Sequence, residues 1–143
     1  MENELSDTEK IMNSLLHQAQ QYLDERGEFA PFAGMLTKDK EYHIGMALDD
    51  SGLGNTGIAL SQEMIDRIIV GHRKEAEKNN LLISAICFDT RVGEKKEDAI
   101  CVAIEEENGK SIEVFLPYKK NLFGKIKYGE LFATAKESKI FIK

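Results

Sequence analysis

Apolar residues recur at helical spacing near the start of the chain, at Ile11, Leu15, Leu16, Ala19, Tyr22 and Leu23. Ser6-Asp7-Thr8-Glu9 precedes them as a capping box, in which hydroxyl and carboxylate satisfy reciprocal orphan amides. Gly27 stands where a left-handed residue would end the helix, so one amphipathic helix is predicted over 6–26. The pattern then shifts to short extended runs. Phe29 to Thr37 reads as a strand whose Pro31 removes a ladder donor and marks an edge or a strand start. Lys38-Asp39-Lys40 turns the chain into a second strand, Glu41 to Leu48. Residues 49–57, DDSGLGNTG, form an acidic, glycine-rich loop. Ser61 is the expected cap of a second helix, with Met64, Ile65, Ile68, Ile69, His72 and Ala76 as its buried stripe and Asn79-Asn80 as its end.

Residues 81–117 alternate with period two. Leu82, Ser84, Ile86 and Phe88 share one face and Leu81, Ile83, Ala85 and Cys87 the other. Turns at Gly93-Glu94-Lys95-Lys96 and near Asn108-Gly109 divide three strands. For the second hairpin, a three-residue loop 107–109 pairs Ile104 with Ile112, Val102 with Val114 and Ile100 with Leu116, keeping six apolar side chains together. Centring the first hairpin near Glu94 places Phe88 opposite Ile100, Ile86 opposite Val102 and Cys87 opposite Cys101. The reverse face then carries Ala85, Cys87, Ala99, Cys101 and Ala103, small enough for a helix or a second subunit to approach closely. The fold class is therefore α+β. A single domain holds two principal helices and a mainly antiparallel sheet of five or six strands, in the order α-β-β-α-β-β-β, with Ile140–Ile142 as a candidate final strand.

Composition narrows the function classes. The chain has 143 residues and a net charge of -6, too acidic for a whole-chain nucleic-acid binder. No apolar run approaches the roughly 18 residues of a membrane span. The acidic start, MENELSDTEK, has no leader character, and two cysteines make no disulfide framework, so a cytoplasmic setting is expected. Charge is unevenly placed: residues 1–116 carry -11 and residues 117–143 carry +5. The basic C-terminal segment is expected to pack on the acidic domain.

Several groups of residues are candidates for chemistry. Gly52-Leu53-Gly54-Asn55-Thr56-Gly57 matches G-x-G-x-x-G, but three residues separate it from the expected helix cap, so a cofactor loop is not expected. His17, His43 and His72 share no metal-binding doublet, and no metal is expected. Cys87 and Cys101 read as buried, reduced and chemically quiet thiols. Asp89 and Arg91 share a strand face as a candidate ion pair and, with His43, would line a polar ligand pocket. Tyr118, Lys119, Lys120, Lys125 and Lys127 mark a basic, aromatic segment. Its composition suits base stacking and phosphate neutralisation, but the acidic body argues for a protein partner. Tyr118, Phe123 and Tyr128 are expected to pin that segment to the domain.

Phe29-x-Pro31-Phe32, Asp98-Ala99-Ile100 and Phe115-x-Pro117-Tyr118 together resemble signatures of a family of small conserved bacterial cytosolic proteins, F-x-P-F, D-A-I and F-x-P-Y. That resemblance implies no activity and no catalytic residue. The element order is also similar to that of roadblock-like dimerisation modules, at the level of fold alone. The leading expectation is a protein-interaction or regulatory module, such as an adaptor or a partner-neutralising protein, with a homodimer favoured over a monomer. The alternative is a small enzyme or ligand binder using His43, Asp89 and Arg91.

Overall fold

A computed structural model describes residues 5–46 and 58–142. Its first helix, α1 (Asp7–Arg26), starts at the expected box: the Glu9 amide donates to Ser6 Oγ at 3.1 Å and the Ser6 amide to Glu9 Oε1 at 3.3 Å. Gly27 ends it in the left-handed region, φ 77°, where a Cβ would be strained. The chain continues through β1 (Phe32–Thr37), β2 (Tyr42–Met46), α2 (Ile58–Glu77), β3 (Leu81–Val92), β4 (Glu97–Glu106), β5 (Ser111–Lys120), β6 (Ile126–Tyr128) and β7 (Phe132–Ala135). All strand pairs are antiparallel, in the order β2-β1-β3-β4-β5-β6, with β7 also on β5. Among the described helices none is long and apolar enough to cross a membrane. The glycine-rich motif at 52–57 lies outside the described residues.

Each face of the sheet carries one helix. Ile11, Leu15, Ala19 and Leu23 of α1 pack on Phe32, Leu36, Ile83, Ala85, Cys87, Ile100, Val102, Ile104, Val114 and Leu116. The other face holds Ala33, Ile86 and Phe88 under Ile68, Ile69 and Ala76 of α2, joined by Ile140 and Phe141 from the chain's end. Burying one such aliphatic side chain is worth about 1.5–3 kcal/mol, so the α1 face supplies most of the apolar stabilisation.

The second hairpin has the expected register, Ile104 with Ile112, Val102 with Val114 and Ile100 with Leu116, with Gly109 at φ 107° closing its loop. The first hairpin does not. Val92 faces Glu97 across a four-residue loop, so Cys87 faces Val102, Phe88 faces Cys101 and Asp89 faces Ile100. One residue of slip moves every side chain to the other face. Ala85 and Cys87 therefore lie against α1, and Ala99, Cys101 and Ala103 lie on the α2 side. The small-residue face offered as a reason for dimerisation is split between two faces, and four of its five residues are already buried within one chain.

Other boundaries move as well. α2 begins at Ile58, placing Ser61 inside the helix. β5 runs through Pro117 to Lys120. Pro117 sits where the edge partner of β5 changes from β7 to β6, and its carbonyl accepts from Gly129, so its missing N–H faces the gap between them. The last strand is Phe132–Ala135, whereas Ile140 and Phe141 pack as an irregular segment.

Candidate functional site

His43, Asp89 and Arg91 do not form one pocket. His43 pairs with Met35, which pairs with Ser84, so its side chain belongs to the α2 face, exposed on β2 with Glu41 at 3.5 Å. Asp89 and Arg91 are on the α1 face of β3. Arg91 meets Asp98 at 3.8 Å, across the hairpin rather than along its own strand. Asp89 accepts a hydrogen bond of 2.8 Å from the Tyr118 hydroxyl. Burial pushes the Asp89 carboxyl up, against the lowering effect of that bond, and burial together with Asp89 raises the Tyr118 phenol. This contact fastens β5 to β3; it is a brace, not a binding pocket.

Tyr118 begins the hairpin formed by β5 and β6. Tyr118 and Tyr128 stand side by side at its base, ring centroids 6.4 Å apart, and pack with Ile126 on the α1 core. The Lys120 ammonium donates to the Gly27 carbonyl, a favourable contact for a cation at a helix C-terminus. The tip is tightly built. Asn121 Oδ1 accepts from the amides of Phe123 at 2.8 Å and Lys125 at 2.9 Å, and Gly124 takes φ 78°. This turn lifts Leu122 and Phe123 clear of the protein, at 100% and 92% exposure. Phe123 is thus no anchor, because the Asn121 turn directs it outward. Lys119, Lys125 and Lys127 surround the tip and make no ion pair among the described residues. Of the five residues proposed from the sequence for partner contact, Tyr118 and Lys120 hold the hairpin and the three remaining lysines face solvent. The missed pair, Leu122-Phe123, had its signal in the flanking Asn121 and Gly124.

The α2 face holds the other polar constellation. His72 and Ser84 are buried, with His72 Nδ1 and Ser84 Oγ 2.6 Å apart. Burial pushes the imidazole down to about 4, only partly offset by Glu75 and Glu105, so the ring is neutral at physiological pH. No carboxylate hydrogen-bonds its other nitrogen among the described residues, so the pair lacks the orienting third group of a nucleophilic triad. Glu105, 3% exposed, takes the Lys136 ammonium at 2.6 Å and the amides of Lys139, Ile140 and Phe141 at 2.8, 2.9 and 3.3 Å. These contacts lower its carboxyl despite the desolvation that opposes them. A cavity of about 180 Å³ lies beside this latch, lined by Ile65, Ile69, Ile86, Ala103 and Ile140 together with Ser84, Glu105, Glu113 and Lys136.

Cys87 and Cys101 are free, fully buried and on opposite faces of the sheet. Burial away from water raises both thiols, which leaves them poor nucleophiles. Among the described residues no three His, Cys, Asp or Glu side chains gather as metal ligands. Comparison with family models, curated proteins and solved structures finds no match to this chain.

Proposed function

We propose that this chain is a cytoplasmic protein-interaction module that docks through the tip of its β5–β6 hairpin onto an acidic surface of a second protein. The observation that carries the reading is the full exposure of Leu122 and Phe123 at the end of a turn held by Asn121. A large apolar pair held out on an ordered turn is placed to fill a partner's cleft, and burying each side chain there would contribute about 1.5–3 kcal/mol. The turn is already formed, so little ordering entropy opposes docking. The surrounding Lys119, Lys125 and Lys127 would speed encounter with an acidic surface and set its orientation. An extended polyanion such as nucleic acid or an anionic membrane would reach past the tip to the -11 carried by residues 1–116, whereas an acidic patch local to a cleft would meet the tip lysines alone, which disfavours the first two. The two free cysteines suit a reducing compartment.

A photo-crosslinking amino acid at position 123, used in intact cells, tests this reading. The expected result is a discrete protein adduct. The purified partner should then bind the wild-type chain, bind the Leu122→Ser/Phe123→Ser variant at least tenfold more weakly, and lose affinity as salt rises. Undiminished binding by that variant, or adducts formed only with nucleic acid, lipid or a second copy of the chain, would refute it.

A further inference from the structure

The cavity between α2 and the sheet has a volume of about 180 Å³. A cavity near 150 Å³ with aliphatic walls accommodates benzene, so this one has room for a six-membered ring and a short polar arm. Ile65 and Ile69 of α2 stand on one side and Ile86 and Ala103 of the sheet on the other, so a ring there would meet apolar side chains from both layers.

The polar part of the wall selects among ring compounds. Ser84 is engaged by His72. Glu105 is saturated by Lys136 and three backbone amides, and the same ammonium donates to the Glu137 carbonyl. Glu113 differs: among the described residues its carboxylate meets only the Cys101 thiol, at 3.9 Å, a weak donor. An arriving cation would pair with Glu113. An arriving carboxylate would face Glu113 and Glu137 in the wall, with the Lys136 ammonium already committed and Lys139 exposed to solvent.

We propose that this cavity binds a small primary amine carried on an apolar or aromatic body, with the ring between Ile65, Ile69 and Ile86 and the ammonium on Glu113. The site is independent of the hairpin reading and survives its failure.

Titration of the isotopically labelled full chain with benzylamine, toluene and benzoate, followed through backbone amide resonances, tests the assignment. Benzylamine should give saturable shifts at Ile86, Ala103 and Ile140, with an affinity at least tenfold above that of toluene or benzoate. Glu113→Gln should lower that affinity at least tenfold while leaving resonances on the α1 face in place. Ile65→Phe, which fills the space from the helix side, should abolish the shifts, and Ala103→Leu repeats that test from the sheet side if the first variant does not fold. Equal binding of toluene or benzoate, unchanged binding by Glu113→Gln, or no saturable shift with benzylamine would overturn the proposal.

Discussion

Replacing Glu105 by alanine should release the end of the chain. The carboxylate is 3% exposed, and four donors converge on it: the Lys136 ammonium and the amides of Lys139, Ile140 and Phe141. Leaving the ammonium buried without its partner would cost about 3–5 kcal/mol if nothing moved. The segment is terminal, however, and can lift away so that its donors reach water. What is then lost is the burial of Ile140 and part of Phe141, about 2–4 kcal/mol, and this alternative caps the penalty. Global destabilisation of about 3 kcal/mol is expected, roughly a 10 °C fall in Tm for a domain of this size. Glu105→Gln, which keeps an acceptor but not the charge, should lose about half as much. Urea denaturation measures the global term, and hydrogen exchange at the amides of 139–141 measures the local one. Sign matters for pH: the Glu105 carboxyl is lowered in the fold, so its contribution is complete above the ordinary carboxylate range near 4.5 and is lost as pH falls through the lower folded value. Protection of 139–141 should fade on acidification before the α1 face opens. Exchange there unchanged in Glu105→Ala, or an equal loss of stability when the same substitution is made in a chain truncated after residue 137, would refute the latch.

Three further outcomes follow from the packing. The His72 imidazole falls from 6.5 to about 4 on folding, so the unfolded chain binds the extra proton between those values; stability should drop by on the order of 3 kcal/mol as pH falls through that window, and His72→Gln should flatten the slope in urea titrations between pH 7 and 4. Val102→Ala, at a fully buried site between Cys87 and Val114, should cost about 2 kcal/mol in urea unfolding without changing the m-value. Both cysteines should react with a thiol reagent only at the rate of local or global opening, and labelling as fast as in an unfolded control would contradict their burial.

The parts of the fold that could be read from the sequence are those where one local choice had no rival. The Ser6–Glu9 box and Gly27 admit one helix, and a three-residue loop was the only solution keeping Ile100, Val102 and Ile104 with Ile112, Val114 and Leu116. The first hairpin failed for a physical reason. A sheet covered on both faces has apolar residues at odd and even positions alike, so Ile86 and Phe88 against Ala85 and Cys87 could not say which set faced α1. The loop then decided, and four residues at 93–96 fit Gly93 and Lys96, both at positive φ, as well as a three-residue loop fits 107–109. The site was less legible still. Convergence of His43 with Asp89 required knowing the parity of two strands through β1, and Glu105 reads as one of three surface acids in Glu105-Glu106-Glu107 until the chain's end is folded over it.

That folding-over has a consequence for how the α2 face works. The α1 face is closed by a continuous helix packed on buried residues from four strands, β1, β3, β4 and β5. The α2 face is completed by six residues near the chain end, 136–141, held chiefly through one carboxylate. Local opening takes place where few apolar contacts must be broken, so this segment should be the first part of the domain to open. Ile140 both closes the cavity and belongs to the latched segment. A ligand in the cavity would contact Ile140 only while the latch is shut, so binding and latching must stabilise each other to the same extent. Benzylamine should therefore slow exchange at 139–141, and Glu105→Gln, a change in the cavity wall that loosens the latch, should weaken its binding. The hairpin tip, braced to α1 and β3 through Lys120 and Tyr118, shares none of these contacts and should respond to neither change.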